Sequence, residues 1–184
     1  MASIASRANL SRPLVYVYFE DKADLYLAIM ARASHELKTR FTNAYREGDS
    51  GLSQIKALGY AYYGFYRDKP EYFHMFSDAR ALLNNFSGEP SDKEQQTMKL
   101  LITTAKDCMA IMIKALSNGT KDGSLCEERT GDPVKAAYFL RGMLHGVILG
   151  ATTDPTFSEN QSNFNLEELI SYSIGNASYA LASD

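Results

Sequence analysis

The sequence predicts an all-α protein, and three features of the chain lead to that fold class. Apolar residues recur at helical spacing in long stretches, most regularly from Met98 to Leu116, where they follow i, i+3, i+4, i+7 steps. Residues that commonly cap or open helices, such as Asn165 and Pro133, precede several of these stretches. No stretch alternates apolar and polar residues far enough to indicate a β-strand.

The N-terminal stretch, residues 3–26, predicts two short helices joined by a tight turn and followed by the start of a third helix. Ser3 and Ser11 are expected to cap the first two helices, and Asp21 the third. Asn9 is expected to make the turn, because asparagine tolerates the left-handed backbone conformation. A helix pair joined by a turn of this size is typical of a DNA-binding helix-turn-helix.

The third helix is expected to continue as a long connector, because apolar residues recur every four positions from Leu25 to Tyr45. Further helices are expected at about residues 52–67, 70–84, 98–116, 133–151 and 166–182. Gly119 is expected to end the third of these, and residues 152–164 are expected to form a loop. The chain is therefore divided into a head with its connector helix, residues 1–46, and a body, residues 51–184.

Composition narrows the class of protein. The net charge of −3 argues against a uniformly basic coat, although residues 1–19 contain Arg7 and Arg12 and no acidic residue. Cys108 and Cys126 form neither a C-x-x-C pair nor a disulfide framework, which favours reduced thiols and a cytoplasmic protein. No apolar run approaches the roughly 18 residues of a membrane span, and no signal peptide is visible, so no membrane association is expected.

The chain lacks the common motifs of catalysis. It contains no Gly-rich phosphate loop, no G-x-S-x-G and no H-E-x-x-H sequence. Its histidines, His35, His74 and His145, are far apart and show no metal-ligand spacing. We therefore expect no enzyme activity, no cofactor and no metal.

The head carries a family resemblance. The matching residues are Ile4-Ala5, Ala8-Asn9-Leu10-Ser11, Val15-Tyr16-Val17-Tyr18-Phe19, Lys22 and Leu25. In order and spacing they resemble the signature of the tetracycline-repressor (TetR) family of transcriptional regulators. Asn9 stands where the family usually has glycine, which is conservative because both accept positive φ. Leu14 stands where a small polar residue is usual.

The resemblance implies a set of DNA contacts in the head. The expected contacts are Ser3, Ser11, Arg12, Leu14, Tyr16, Val17, Tyr18 and Lys22. Tyr16, Tyr18 and Lys22 match the family's phosphate-contacting positions, which fix the register on the duplex without reading its sequence. Arg12 could read a guanine and Val17 could touch a thymine methyl group. The alternative is that the tyrosines are core aromatics and Arg12 a solvated charge. We assign Ile4, Ala8, Leu10, Val15, Phe19 and Leu25 to the head's core.

The body contains a candidate helix-contact face. Gly142, Gly146 and Gly150 are four residues apart on one predicted helix, where each costs up to about 1 kcal/mol relative to alanine. Close approach of another helix would offset that cost, and the approaching helix could belong to the same chain or to a second copy. The family dimerises through its last two helices. The resemblance therefore implies a homodimer interface formed by Gly142, Gly146, Gly150, Leu169, Ile170, Ser173, Ile174 and Ala177.

The body also contains candidate ligand contacts. The tyrosine, phenylalanine and methionine content of residues 60–76 and 98–113 is first of all core material, but it would equally suit an adaptable apolar pocket. The resemblance implies a small effector, apolar or aromatic in character. The expected contacts are Tyr63, Met98, Ile102, Met109, Tyr138, Arg141 and His145, around a cavity of roughly a few hundred Å³.

We interpret the sequence as a TetR-type regulator: a dimeric, cytoplasmic repressor that binds operator DNA and is released by a small effector. The family domain has a basic arm and a full helix ahead of the matching stretch, and here only Met1 and Ala2 precede it. The first helix is therefore expected to be missing and DNA binding by this chain to be weak. The alternative is a helical interaction or ligand-binding module that no longer binds DNA.

Overall fold

The computed structural model describes residues 1–76, 89–159 and 164–183. Its helices are α1 (Ala2–Arg7), α2 (Arg12–Tyr18), α3 (Lys22–Glu47), α4 (Gly51–Asp68), α5 (70–76 as described), α6 (Asp92–Asp122), α7 (Glu127–Thr130), α8 (Pro133–Thr153), α9 (Pro155–Glu159) and α10 (Leu166–Leu181). The described residues contain one isolated β-bridge, between Leu125 and Ala182, and no strand. The predicted all-α class is confirmed.

The turn of the head forms as the sequence predicted. Asn9 adopts a φ of 55°, the left-handed conformation that lets the chain reverse between α1 and α2. The Ser11 side chain caps α2 by accepting a hydrogen bond from the Leu14 backbone N–H at 3.3 Å. Asp21 Oδ1 accepts from the Asp24 N–H at 2.9 Å at the start of α3. These local bonds set the directions of the three helices.

Three details of the head differ from the prediction. Ser3 lies inside α1, whose N-cap is Met1, so Ser3 does not cap the helix. Ala8 and Leu10 are exposed rather than core residues, because they lie in the reversal on either side of Asn9. Val15, 6% exposed, is buried as predicted, and Ala5, 2% exposed, is buried although it was not predicted as a core residue.

The caps of the later helices also match the sequence. Asp132 accepts a hydrogen bond from the Val134 N–H at 2.7 Å and opens α8. Asn165 and Glu168 form a complete capping box at the start of α10, with both reciprocal bonds at 2.9 Å. The predicted loop over residues 152–164 instead contains the short helix α9. The predicted helix end near residue 84 lies outside the described residues.

Gly119 does not end α6, which continues to Asp122 before Gly123 takes a positive φ of 76°. The absence of a side chain at Gly119 allows close packing. A Cβ built on Gly51 would lie 2.1 Å from the Gly119 backbone N, and one on Gly119 would lie 2.4 Å from Leu125 Cδ1. The start of α4 therefore lies directly against the backbone of α6, which explains Gly51, and the Leu125 side chain fills the space beside Gly119.

The described chain separates into two compact units. The first comprises Met1–Glu36 and Lys69–Ala105, and the second comprises Leu37–Asp68 and Lys106–Asp184. The predicted division between head and body, at residues 46–51, falls inside the second unit. The long helices α3 and α6 each contribute residues to both units.

Each unit has its own buried side chains. In the first unit, Leu27 and Phe73 are almost completely buried. The second unit has a continuous apolar core from α3, α4, α6, α8 and the segment before α7, including Phe41, Leu58, Leu116, Leu125 and Leu140. Burial of this kind stabilises by about 1.5–3 kcal/mol for each large side chain.

Candidate functional site

The helix α2 presents most of its large side chains to solvent. Val17 is 74% exposed and Tyr18 65%, and Leu14 and Tyr16 are also exposed, whereas Val15 on the opposite side is buried. The alternative prediction that the tyrosines are core aromatics is therefore wrong. A seven-residue helix with this much exposed apolar and aromatic surface has a face suited to contact with another molecule.

The other residues predicted to contact DNA are exposed as well. Ser3, Ser11, Arg12 and Lys22 all lie at the surface of the first unit. The Arg12 guanidinium lies 5.6 Å from the centroid of the Tyr16 ring, a cation–π arrangement that orders both side chains. The surface thus combines donors and cations suited to phosphate oxygens with aromatic and apolar groups, as a nucleic-acid interface requires.

The junction between α2 and α3 contains an ion pair that sequence reasoning missed. Asp24 is only 3% exposed, and its Oδ2 accepts hydrogen bonds from the Glu20 N–H at 3.1 Å and from Lys93 Nζ at 2.6 Å. Lys93 Nζ also lies 3.3 Å from the backbone carbonyl of Tyr18, the last residue of α2. The hydrogen bond to Asp24 raises the pKa of Lys93. Sequence reasoning placed Asp24 in the first turn of α3 but could not identify its partner, because Lys93 is 69 residues away.

The second unit contains a small, largely apolar cavity of about 30 Å³ that is partly open to solvent. It is lined by Phe41, Ile55, Leu58, Gly59, Tyr62, Met112, Leu140, Arg141, Met143, Leu144, Ile174, Ala177 and Ser178. This volume is smaller than the few hundred Å³ predicted for an effector cavity, and none of the predicted residues Tyr63, Met98, Ile102 and Tyr138 lines it. The volume is enough for a water molecule, whereas drug-sized ligands need about 300 Å³ or more.

Polar groups are few around the cavity. The Tyr62 hydroxyl and His145 Nδ1 are 2.8 Å apart and hydrogen-bonded. Burial raises the pKa of Tyr62, and burial, with a smaller contribution from the Arg141 charge, lowers the pKa of His145. The Ser178 hydroxyl is buried and has no hydrogen-bond partner among the described residues. A ligand group that donates or accepts a hydrogen bond would satisfy it.

The predicted ligand contacts are divided between the two units. Met98 and Ile102 belong to the first unit, and Ile102 is 57% exposed. Tyr63, Met109, Tyr138, Arg141 and His145 belong to the second unit, where Arg141 lines the cavity. Tyr138 points to solvent, 54% exposed, with the Arg141 guanidinium over its ring. The residues that sequence reasoning missed, Tyr62 and Ser178 among them, lie on helices whose inward face only the folded chain defines.

The thiol of Cys108, which lies in the core of the second unit, is not activated as a nucleophile. Cys108 is buried, and burial raises the pKa of its thiol to about 11. The neighbouring Lys38 is paired with Asp107 at 2.6 Å, so the lysine charge is partly offset. A thiol with this pKa is protonated at neutral pH and is a poor nucleophile.

The glycine face of α8 is open in the single chain. A Cβ built on Gly142, Gly146 or Gly150 would meet no described atom within 4 Å. Within the described residues, the alternative in which a helix of the same chain approaches these glycines is therefore wrong. On the same unit, Tyr138, Phe139, Tyr172 and Tyr179 are all more than half exposed, and Tyr179 reaches 86%. We call the outward sides of α8 and α10 with these residues the glycine–tyrosine face.

Two predicted interface residues belong to the core instead. Ile170 and Ile174 are 0% and 5% exposed, because α10 turns these side chains toward α4 and α8. A Cβ on Gly59 of α4 would come within 3.1 Å of Ile174 Cδ1, which shows how close the two helices lie. Ala177 packs against the same core, and Leu169 and Ser173 are half-buried.

The helices α1 and α2, joined by the turn at Asn9, and the exposed face of α2 define an all-helical protein with a helix-turn-helix head. Within the described residues, no helix combines the length and the apolar character that a membrane span needs. A comparison with known protein families gives a match in the head. Residues 1–29 match the family model described as "Bacterial regulatory proteins, tetR family". The head therefore matches the TetR family of transcriptional regulators, in agreement with the resemblance found in the sequence.

Individual relatives are more distant. The chain is similar to the "HTH-type transcriptional activator FasR" of Mycolicibacterium smegmatis, with 32% identity over 65 residues. That match covers 35% of this chain and 30% of the relative, so the chain spans less than a third of the curated relative's length.

Solved structures share the fold. A bacterial regulatory protein of the tetR family from Rhodococcus RHA1 is similar over 99% of this chain and 85% of its own, with a TM-score of 0.73 and 13% identity. The reduced form of NemR from E. coli is similar over 100% of this chain and 86% of its own, with a TM-score of 0.63 and 18% identity. At these identities the likeness concerns the fold alone.

Proposed function

We propose that this TetR-family regulator is a cytoplasmic homodimer that binds operator DNA through α2 and is released by a small, largely apolar effector. The observation that supports DNA binding best is the exposed face of α2 described above. Phosphate contacts from Tyr16, Tyr18 and Lys22 would position the helix, and Arg12 and Val17 would contact base edges in the major groove. Ser11, Leu14 and Ser3 complete the proposed contact set.

The glycine–tyrosine face supports the homodimer. Each glycine in α8 carries a helix-propensity cost that no contact among the described residues offsets. A second copy related by a two-fold axis would bring α8 and α10 against the same helices of its partner. The exposed tyrosines are typical of interface anchors because they bury large area at low entropic cost.

The cavity of the second unit supports a small effector. Its lining is mainly apolar, and the buried Ser178 hydroxyl is left to pair with a polar group of the ligand. At about 30 Å³ the cavity must widen to admit an effector. Such an effector would stabilise a wider arrangement of the helices, and this differential affinity could change DNA binding.

The test of DNA binding is selection from a library of duplexes with a random central segment. We expect the chain to enrich, although weakly, a palindromic sequence with half-sites about one helical turn apart. Replacement of Arg12 by alanine should relax the preference at one base pair of each half-site, at a cost of about 1–3 kcal/mol per contact. Replacement of Lys22 by methionine should weaken binding to all sequences and reduce the salt slope.

The outcome of selection separates this proposal from the alternative. Failure to enrich any sequence, with intact helical structure by circular dichroism, would favour a helical interaction or ligand-binding module that does not bind DNA.

A second question is the direction of regulation. We propose repression, and the relative named as an activator supports the opposite direction. A reporter gene placed downstream of the enriched sequence distinguishes the two, because a repressor lowers and an activator raises its expression.

A further inference from the structure

Lys93 joins two elements of the head that DNA binding requires in a fixed arrangement. Its Nζ donates to Asp24 Oδ2 at 2.6 Å and to the Tyr18 carbonyl at 3.3 Å. Tyr18 is the last residue of α2, and Asp24 lies in the first turn of α3. One ammonium group thus binds the end of one helix and the beginning of the next.

The two hydrogen bonds from Lys93 reach acceptors that have no partner within their own helix or need a counter-charge. The last carbonyls of a helix have no partner within it, and a cation near them is favourable because of the helix dipole. The Asp24 carboxylate has a side chain only 5% exposed, and a buried carboxylate requires hydrogen bonds and a counter-charge. The Glu20 N–H supplies one bond, and Lys93 supplies the charge.

The position of Lys93 separates it from the DNA contacts. It is the second residue of α6, and it belongs to the same compact unit as α2 and the first part of α3. Its side chain is half exposed, but both of its hydrogen bonds face the junction between the helices. The exposed tyrosines and Lys22 remain available for phosphate, whereas the charge of Lys93 is directed to Asp24.

We propose that Lys93 is a positioning residue for DNA recognition, which holds the end of α2 against the first turn of α3 through Tyr18 and Asp24. This inference rests on the proposed DNA binding by α2. It predicts that loss of the Lys93 ammonium weakens specific binding without removing a phosphate contact.

The first measurement needs no DNA. Amide hydrogen exchange is followed in the parent chain, in Lys93→Met and in Lys93→Arg. In Lys93→Met the Glu20 and Asp24 amides should exchange roughly tenfold faster or more, in line with the stabilisation that a charged hydrogen bond gives. Lys93→Arg keeps a cation within reach and should retain most of the protection. The control Lys99→Met removes the same charge from an exposed position of α6 and should leave these amides unchanged.

The second measurement is the affinity for the duplex that the parent chain enriches, as a function of salt. Lys93→Met should bind about tenfold more weakly with the salt slope of the parent, because no phosphate contact is lost. Lys93→Arg should recover most of the affinity. Lys22→Met gives the contrasting pattern, in which the slope falls by about 0.9 for the lost phosphate contact.

The results distinguish the positioning role of Lys93 from the proposed DNA binding. Unchanged exchange at Glu20 and Asp24 in Lys93→Met overturns the positioning role, whether or not the chain binds DNA. A reduced salt slope in Lys93→Met also overturns it, because the lysine would then contact phosphate itself. Faster exchange together with no enriched duplex for the parent chain supports the link between the helices but refutes the proposed DNA binding on which recognition depends.

Discussion

Replacement of Gly146 by leucine should weaken the proposed dimerisation while leaving the single chain folded. Gly146 lies on α8, and a Cβ at this position would have no described atom within 4 Å, so a larger side chain meets no obstacle there. Leucine also has a helix propensity better than that of glycine by up to about 1 kcal/mol. The stability of the separate protomer should therefore be unchanged or slightly higher.

The expected loss of free energy arises in the helix contact between the two copies of the chain. Insertion of a large side chain into a close helix contact typically costs about 1–3 kcal/mol, and two-fold symmetry places the substitution in the interface twice. A total of about 2 kcal/mol or more corresponds to a dissociation constant raised roughly 30-fold or more. Sedimentation velocity over a concentration series measures this constant. Ala110→Leu, which adds leucine at an exposed position of α6, is the matched control and should leave it unchanged.

Two results would refute this reasoning. A parent chain that remains monomeric at micromolar concentration would remove the homodimer itself. A Gly146→Leu variant that dimerises as tightly as the parent would show that the interface lies elsewhere. Unfolding measured by denaturant on the monomeric variant checks the remaining assumption, because a large loss of stability would mean that Gly146 is packed within the chain.

Three further predictions concern the second unit. Gly51→Ala should lower the free energy of unfolding by about 1–3 kcal/mol in denaturant titrations, because its Cβ would enter the backbone of α6; Gly64→Ala, with no atom closer than 3.7 Å, is the control. Burial lowers the pKa of His145 below 6.5, so the unfolded state binds more protons in that window. Stability should therefore fall as the pH decreases from about 6.5 through the folded pKa, and His145→Gln should lack this component. Cys108 in the native chain should react with iodoacetamide at about pH 8 much more slowly than Cys126, and equal rates would contradict the buried, raised-pKa thiol.

Local chemistry made most of the helix boundaries predictable. Ser11, Asp132 and the Asn165–Glu168 box act through bonds to residues two or three positions away, and Asn9 acts through its own backbone conformation. Their effects can therefore be predicted from the neighbouring sequence. The same holds for the exposed face of α2, since the family signature covers it without a gap. The head was therefore predicted closely, apart from the residues around its turn.

Long-range packing explains the failures. Gly119 had the sequence context of a helix end, but it lies inside α6, where its backbone packs against Gly51, 68 residues earlier in the chain, and the Leu125 side chain occupies the space of a Cβ. The ion pair of Asp24 with Lys93 joins residues equally far apart. The cavity residues Tyr62 and Ser178 were missed for the same reason. Periodicity identifies an apolar face but does not indicate which helix it meets.

The division of α10 into two faces makes the proposed dimer separable from the fold. Ile170 and Ile174 point inward and stabilise the protomer, so substitutions there would lower stability and assembly together. Tyr172 and Tyr179 point outward, and their exposure means that truncation to alanine removes little burial within the chain. A dimerisation defect in a Tyr179→Ala variant with unchanged unfolding would therefore report the interface alone. The predicted interface contained both isoleucines and neither tyrosine, because only burial in the folded protomer distinguishes residues for assembly from residues for folding.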